Sequence, residues 1–236
     1  AHARAIWEAR HVAGNEFLTV EGAARIAGDF DPSRGPLVIA DYADNPGAGA
    51  YGDATNLLRA LLDAGVTNAA FAPMVDPVVA QELHRHCEGE VVTVDLGGKN
   101  DPSFGGGPLR LTGQIIHLSD GSFRGDGPML GGLERSYGAT AVLRVNGIDI
   151  LVVTEPEQVL DRQQLAAFGI IPSERSVLAV KSMQHFRAAF EPIAGRVIVC
   201  DSGALATPDL LRKPYRKVRR PVWPLDPETV YSGTGA

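Results

Sequence analysis

Apolar and polar positions along this chain fall into short, sharply punctuated blocks. Leu37-Val38-Ile39-Ala40 is a brief apolar run of the kind a buried strand produces. From Asp53 to Ala64 the period changes: Leu57, Leu58, Leu61 and Leu62 share one helical face, Asp53 stands as the cap and Gly65 is the stop. Asn68 to Ala72 predicts a second strand. Asp76-Pro77 opens another helix, with an acidic cap and proline at the first helical position, and Val79, Leu83 and Cys87 on one face. Val91 to Val94 predicts a third strand. This β-α-β-α-β series favours a parallel sheet.

The middle of the chain changes character. Leu111 to Leu118, Asp120-Gly121 and Ser122-Phe123 read as one hairpin. Ala141 to Val145, Asn146-Gly147 and Ile148 to Val153 read as a second, because Asn-Gly supplies the positive φ a two-residue turn needs. The end returns to α/β: strand Ser176 to Val180, helix Ser182 to Phe190, strand Arg196 to Cys200. The expected fold is α/β, a mixed sheet with β-α-β units at both ends and an antiparallel β-hairpin insertion in the middle. Ahead of it, residues 2–12 and 20–27 read as helices, and Asp31-Pro32-Ser33-Arg34-Gly35-Pro36 is the strongest linker signal. Residues 1–35 are therefore set apart as a connecting helical segment, and 36–236 as the main domain. The chain begins at an alanine inside a helical pattern, which suggests a piece of something longer.

Composition narrows the class. The chain has 236 residues, 44% of them hydrophobic and 21% charged, enough apolar material for a sizeable core. Its net charge of −6 argues against a general nucleic-acid or anionic-membrane binder. Two cysteines make no disulfide framework and suit a reducing compartment. No apolar run approaches the roughly 18 residues that span a bilayer, and the N-terminus lacks a signal-peptide core. The expectation is a cytoplasmic protein. Arg212 to Arg220 carries six of the 22 basic residues; setting those six aside from a net of −6 leaves −12, so pairing with acidic surface is the plainer account of the stretch.

The loop from Asp41 to Asp53 is the most informative stretch, because it lies between a buried strand and a helix start, where open α/β sheets bind ligands. Gly47, Gly49 and Gly52 satisfy G-x-G-x-x-G, with Asp76 a little over 20 residues on, as in a dinucleotide site. Against this, the glycines start late after the strand, and Asp41, Asp44 and Asp53 would repel a pyrophosphate. A glycine-rich turn or a polar loop facing an active site are the other readings. His185, at the next strand-to-helix junction with Lys181, is either a simply hydrogen-bonded histidine or a neutral base or ligand. His84 and His86 lie about 200° apart on a helix and cannot share an ion. Ser202 misses the G-x-S-x-G elbow.

Four segments resemble, in order, the C-terminal domain of MlrC-like zinc metallopeptidases. They are Asp44-Asn45-Pro46-Gly47-x-Gly49-x-x-Gly52-Asp53, Gly97-Gly98-Lys99, Val180-Lys181-Ser182-x-x-His185-Phe186-Arg187-Ala188-Ala189-Phe190, and Arg220-Pro221-x-Trp223-Pro224-Leu225-Asp226. The resemblance runs from about residue 36 to 228. Tyr51 departs from it, standing where a proline or small residue is expected. The resemblance implies a two-domain protein that hydrolyses amide bonds with a metal-activated water, its zinc held by an N-terminal domain and not by this piece. It implies an accessory role here, with no catalytic residue or metal ligand of its own. The substrate-binding or domain-interface candidates are Asp41, Asp44, Asn45, Gly47, Gly49, Asp53, Lys181 and His185. The implied partners are the N-terminal metallopeptidase domain, a peptide-like or amide small-molecule substrate and, through a face left uncovered, a second copy of the chain. A dinucleotide-binding module and a purely structural or interaction domain stand as alternatives.

Overall fold

The computed structural model describes residues 2–12 and 16–231. They form two compact units, one from 17 to 207 and a smaller one joining the N-terminal residues up to 16 with those from 208 onward.

In the larger unit the elements run α2 (Val20–Gly28), β1 (Leu37–Asp41), α3 (Asn56–Asp63), β2 (Ala69–Val75), α4 (Pro77–Leu83), β3 (Val91–Leu96), β4 (Leu109–Ser119), β5 (Ser122–Arg124), β6 (Glu134–Ser136), β7 (Thr140–Val145), β8 (Ile148–Val153), α5 (Gln163–Ala166), β9 (Val177–Val180), α6 (Arg187–Phe190) and β10 (Arg196–Cys200); α1 (His2–Glu8) lies in the smaller unit. Eight strands make one sheet in the order β10-β1-β9-β2-β8-β7-β4-β3. The half from β10 to β8 is parallel, and the half from β8 to β3 is antiparallel. The mixed α/β fold read from the sequence is the observed one.

Strand alternation sorts the core. Leu37 and Ile39 of β1 and Phe71 of β2 pack with Ala23, Leu57 and Val79 from α2, α3 and α4. Val38, Ala40 and Ala72 face the opposite side, against Leu165 of α5 and Phe190 of α6. The parallel strands are thus buried on both faces, which is why they read as unbroken apolar runs.

The Asn146-Gly147 hairpin joins β7 and β8 as expected, with φ of 47° and 84° at the two turn residues. Other elements differ from the sequence reading. β3 does not extend the parallel series; it pairs antiparallel with β4 at the far edge. β4 does not fold back on 122–123, because β7 and β3 already occupy both its edges, and β5 pairs with β6 in a separate small ribbon. Cys87 lies beyond the end of α4 and is exposed. The helix expected from Asp53 starts at Asn56, since the Gly105 carbonyl accepts from both the Thr55 and Asn56 amides. The helix expected over 182–190 shrinks to α6, because the Ser182 hydroxyl donates to the Val159 carbonyl and holds the chain in an irregular turn.

The segment 1–35 is divided between the units. Leu18 bridges Cys200 at the edge of β10, and α2 contributes its alanines to the core, so 17–35 belongs with the sheet. Within the smaller unit, Trp7 of α1 meets Trp223 edge-on at 6.4 Å, and the Arg10 guanidinium lies 4.4 Å from the Trp7 ring. Arg220 pairs with Asp226, whose carboxylate also accepts from the Val222 amide at 2.7 Å, so the last motif is a self-bonded turn presenting Trp223.

Leu57 is fully buried between α3 and the sheet. Leu57→Ala is expected to cost about 2–5 kcal/mol, read as a lower urea midpoint with an unchanged slope.

Candidate functional site

The parallel strands end on one side of the sheet, and the loops leaving β1, β2, β8, β9 and β10 gather there. β1 delivers Asp41 at its last position, and β9 delivers Lys181 immediately after its own. Both side chains are buried, as is Asp44. The Lys181 ammonium donates to Asp44 Oδ2, to Asp41 Oδ2 at 3.4 Å and to the Ala54 carbonyl at 3.1 Å. Its three hydrogens are then all used. The Phe71 ring lies 4.9 Å from the ammonium.

Asp44 does more than pair with the lysine. Its Oδ1 accepts from the Gly52 amide at 2.9 Å and its Oδ2 from the Ala54 amide at 2.8 Å, which draws the far end of the loop back to its start. Asp41 Oδ1 accepts from the Ser202 hydroxyl at 2.6 Å, tying in the loop after β10. Asn45 Oδ1 accepts from the Gly47 amide at 3.0 Å and caps the short turn Pro46–Ala48. Asp53 Oδ2 receives the Lys99 and Asn100 amides at 2.9 and 3.0 Å. Asp76 caps α4 through Val79 and also binds the Gly97 amide and Lys99 Nζ, at 2.9 and 2.7 Å. The Gly97-Gly98-Lys99 motif is therefore a strap between two buried carboxylates.

The eight candidates separate into two groups. Asp41, Asp44, Asn45, Asp53 and Lys181 are buried and bonded to the protein itself. Gly47, Gly49 and His185 are exposed on the strand-end side. His185 Nδ1 meets Gln158 Nε2 at 3.3 Å. Tyr51 is 37% exposed, so the departure from the family pattern places its ring on the outside of the loop. Ser202 and Gln158 join the cluster without having been singled out for these roles. Ser202 carries no hydrolase motif, and Gln158 stands in no motif at all; only the folded chain brings it within reach of a histidine 27 positions away.

This arrangement does not suit a dinucleotide. The Gly47 and Gly52 amides are taken by Asn45 and Asp44, the Gly49 amide by the Pro46 carbonyl, and the Thr55 and Asn56 amides at the start of α3 by Gly105, so the glycine-loop amides that would cradle a pyrophosphate are already committed. Nor do these residues fit zinc: the place a cation would take between Asp41 and Asp44 is filled by the ammonium of Lys181. Among the described residues no three His, Cys, Asp or Glu side chains gather into a metal-binding group. His84 and His86 bond separately, to the Thr140 carbonyl and to Glu90. Among the described residues no helix is long and apolar enough to cross a membrane.

Two carboxylates share one ammonium, so a negative charge is left over. Asp44 holds the short contact and two amides, and Asp41 is the poorer partner. Burial, reinforced by the Asp44 charge and opposed by Lys181 and Ser202, pushes the Asp41 carboxyl up from 3.8 to about 6. Burial pulls the Lys181 ammonium down, but Asp44 and Asp41 together outweigh it and leave it raised above 10.5.

Removing the cation strands both carboxylates. Lys181→Met is expected to cost about 3–5 kcal/mol in urea denaturation near neutral pH, with part recovered by adding Asp41→Asn. The folded chain keeps the Asp41 proton to about 6, whereas the unfolded chain releases it near 3.8. The stability this contributes is full below the lower value and lost as pH rises through the upper one. Asp41→Asn should remove that decline from a plot of urea midpoint against pH. The raised Lys181 contributes stability that is kept below 10.5 and lost as pH climbs through its folded-state value, so both proteins should weaken at alkaline pH.

Comparison with known proteins gives this loop frame a family. The model for the MlrC C-terminus matches residues 39–217, a span that holds three of the four motifs and ends before Arg220. Microcystinase C from Sphingomonas sp. is 29% identical over 192 residues, 81% of this chain and 36% of that protein. A crystal structure called "Putative metallopeptidase", from Mesorhizobium sp. BNC1, shares the fold with a TM-score of 0.84 at 26% identity, over 95% of this chain and 44% of that one. The chain thus spans less than half the length of either relative. With three of its own buried-carboxylate and lysine motifs inside the matched span, the chain belongs to the MlrC C-terminus family.

Proposed function

We propose that this chain is the C-terminal accessory domain of a zinc-dependent metallopeptidase or amidohydrolase, and that its strand-end loops help to shape the substrate site of a catalytic N-terminal domain. One observation carries the reading. A saturated Lys181–Asp44–Asp41 frame holds Gly47, Gly49 and His185 exposed together at the sheet edge, in a chain spanning only 36% and 44% of a microcystinase and of a structure named for a metallopeptidase. The substrate class is a peptide-like or amide molecule. The metal and the water it activates belong to the partner domain in this reading, and this chain's residues orient substrate and exclude water. Cys87 and Cys200 are both free thiols, the state a reducing compartment maintains, and this supports a cytoplasmic placement.

The inward turn of Asp41, Asp44, Asp53 and Lys181 favours a second reading, in which the domain serves assembly alone. One set of measurements separates them. The longer protein should hydrolyse a linear peptide, lose that activity to a chelator and regain it with zinc. The 236-residue chain by itself should hydrolyse nothing and hold no stoichiometric zinc by elemental mass spectrometry. A zinc bound by this chain alone would overturn the division of labour. Unchanged kcat and KM in the longer protein after Gly49→Trp, with weaker assembly, would favour the assembly reading.

A further inference from the structure

Segments following three different strands meet beside His185. Gln158, in the segment after β8, is the residue at their centre. Its Nε2 lies 3.1 Å from Ser182 Oγ and 3.3 Å from His185 Nδ1. The Ser182 hydroxyl donates its one hydrogen to the Val159 carbonyl at 2.7 Å. With that hydrogen committed, the Ser182 oxygen can only accept. The Gln158 atom facing it must therefore be the amide nitrogen, a donor, which settles the orientation of the amide by its network. That nitrogen carries a second hydrogen, and the atom before it is His185 Nδ1, which must accept in turn. An uncharged imidazole has a single N–H, so its proton sits on Nε2. A backbone carbonyl thus selects the tautomer of an exposed histidine through a hydroxyl and an amide.

The other end of the Gln158 amide lies over the glycine of the first loop. A Cβ at position 47 would collide with Gln158 Oε1, so the glycine of the Asn45-Pro46-Gly47 turn is what lets the amide lie there. Gln158 and Gly47 also line a crevice of about 250 Å³ whose apolar walls are Pro46, Leu130, Pro156 and Leu160, with the paired Arg135 and Glu157 completing the lining. Beside it stands His185, exposed, and among the described residues nothing bonds its Nε2. A crevice with these apolar walls, an Arg135–Glu157 ion pair in its lining and a fixed histidine donor at its side matches an apolar side chain flanked by a carbonyl oxygen, the repeating unit of a peptide.

We propose that Gln158 is a positioning residue that holds His185 as its Nε2–H tautomer, and that His185 donates this hydrogen bond to a carbonyl oxygen of the substrate. The identity of the ligand rests on the peptidase reading above; the tautomer does not. The tautomer is tested on the 236-residue chain, labelled with ¹⁵N-histidine, by long-range ¹H–¹⁵N correlation at mildly alkaline pH. His185 should show a protonated Nε2 and a bare Nδ1, and Gln158→Leu should convert it to a mixture. A protonated Nδ1 in the unmodified chain overturns the proposal.

The ligand contact is tested in the longer protein with a linear peptide. His185→Leu should raise KM up to about tenfold, the size of one hydrogen bond to an uncharged partner, with a much smaller change in kcat. His185→Gln, whose amide N–H reaches the Nε2 position, should restore most of the loss. Unchanged KM in His185→Leu overturns the contact. If the unmodified longer protein hydrolyses no peptide, the peptidase reading fails and takes the contact with it, while the NMR result is read independently.

Discussion

A single buried ammonium organises the strand-end side of this domain. Lys181 enters from β9, and the two carboxylates it binds enter from the end of β1 and the loop beyond it. Burying three charged groups is costly, and it is tolerated here because each one is also hydrogen-bonded: Asp44 by two backbone amides, Asp41 by Ser202, and Lys181 by the Ala54 carbonyl. The geometry is demanding, and that is its structural value. A loop of a dozen residues rich in glycine would otherwise have many conformations; the bonds from Gly52 and Ala54 to the two Asp44 oxygens restrict it by tying its far end to its start.

From this frame the exposed residues inherit their positions. Asn45 caps the short turn that displays Gly47 and Gly49, and Gln158 lies against that turn on one side and His185 on the other. The second strap, Gly97 to Asn100, is held by Asp53 and Asp76, so the loops after β1, β2 and β3 are cross-linked by carboxylates. Motif residues that look like a catalytic inventory when written in a line are mostly struts.

The parallel half of the sheet could be read from the chain because its evidence is local. Leu37 to Ala40 is apolar on both faces since helices cover both faces, and Asn146-Gly147 permits little but a tight hairpin turn. The placement of β3 could not be read that way. Its alternating exposed and buried residues suit a parallel or an antiparallel edge equally, and the choice was made by β4, whose eleven residues bridge β3 and β7. The same holds for the start of α3, where the deciding carbonyl belongs to Gly105, far along the chain.

Sequence alone determined the fold class and the family, because both are carried by residue types at short spacings, and it nominated a set of mostly polar loop residues without Gln158. It did not determine which way those residues face. Asp41, Asp44 and Lys181 were equally good candidates for touching substrate until the fold placed the lysine's three donors against three acceptors from elsewhere in the chain. Whether a charged side chain serves the interior or a ligand depends on whether its hydrogen-bonding capacity is already spent. That is a question of contacts between distant segments, and only the tertiary structure contains them.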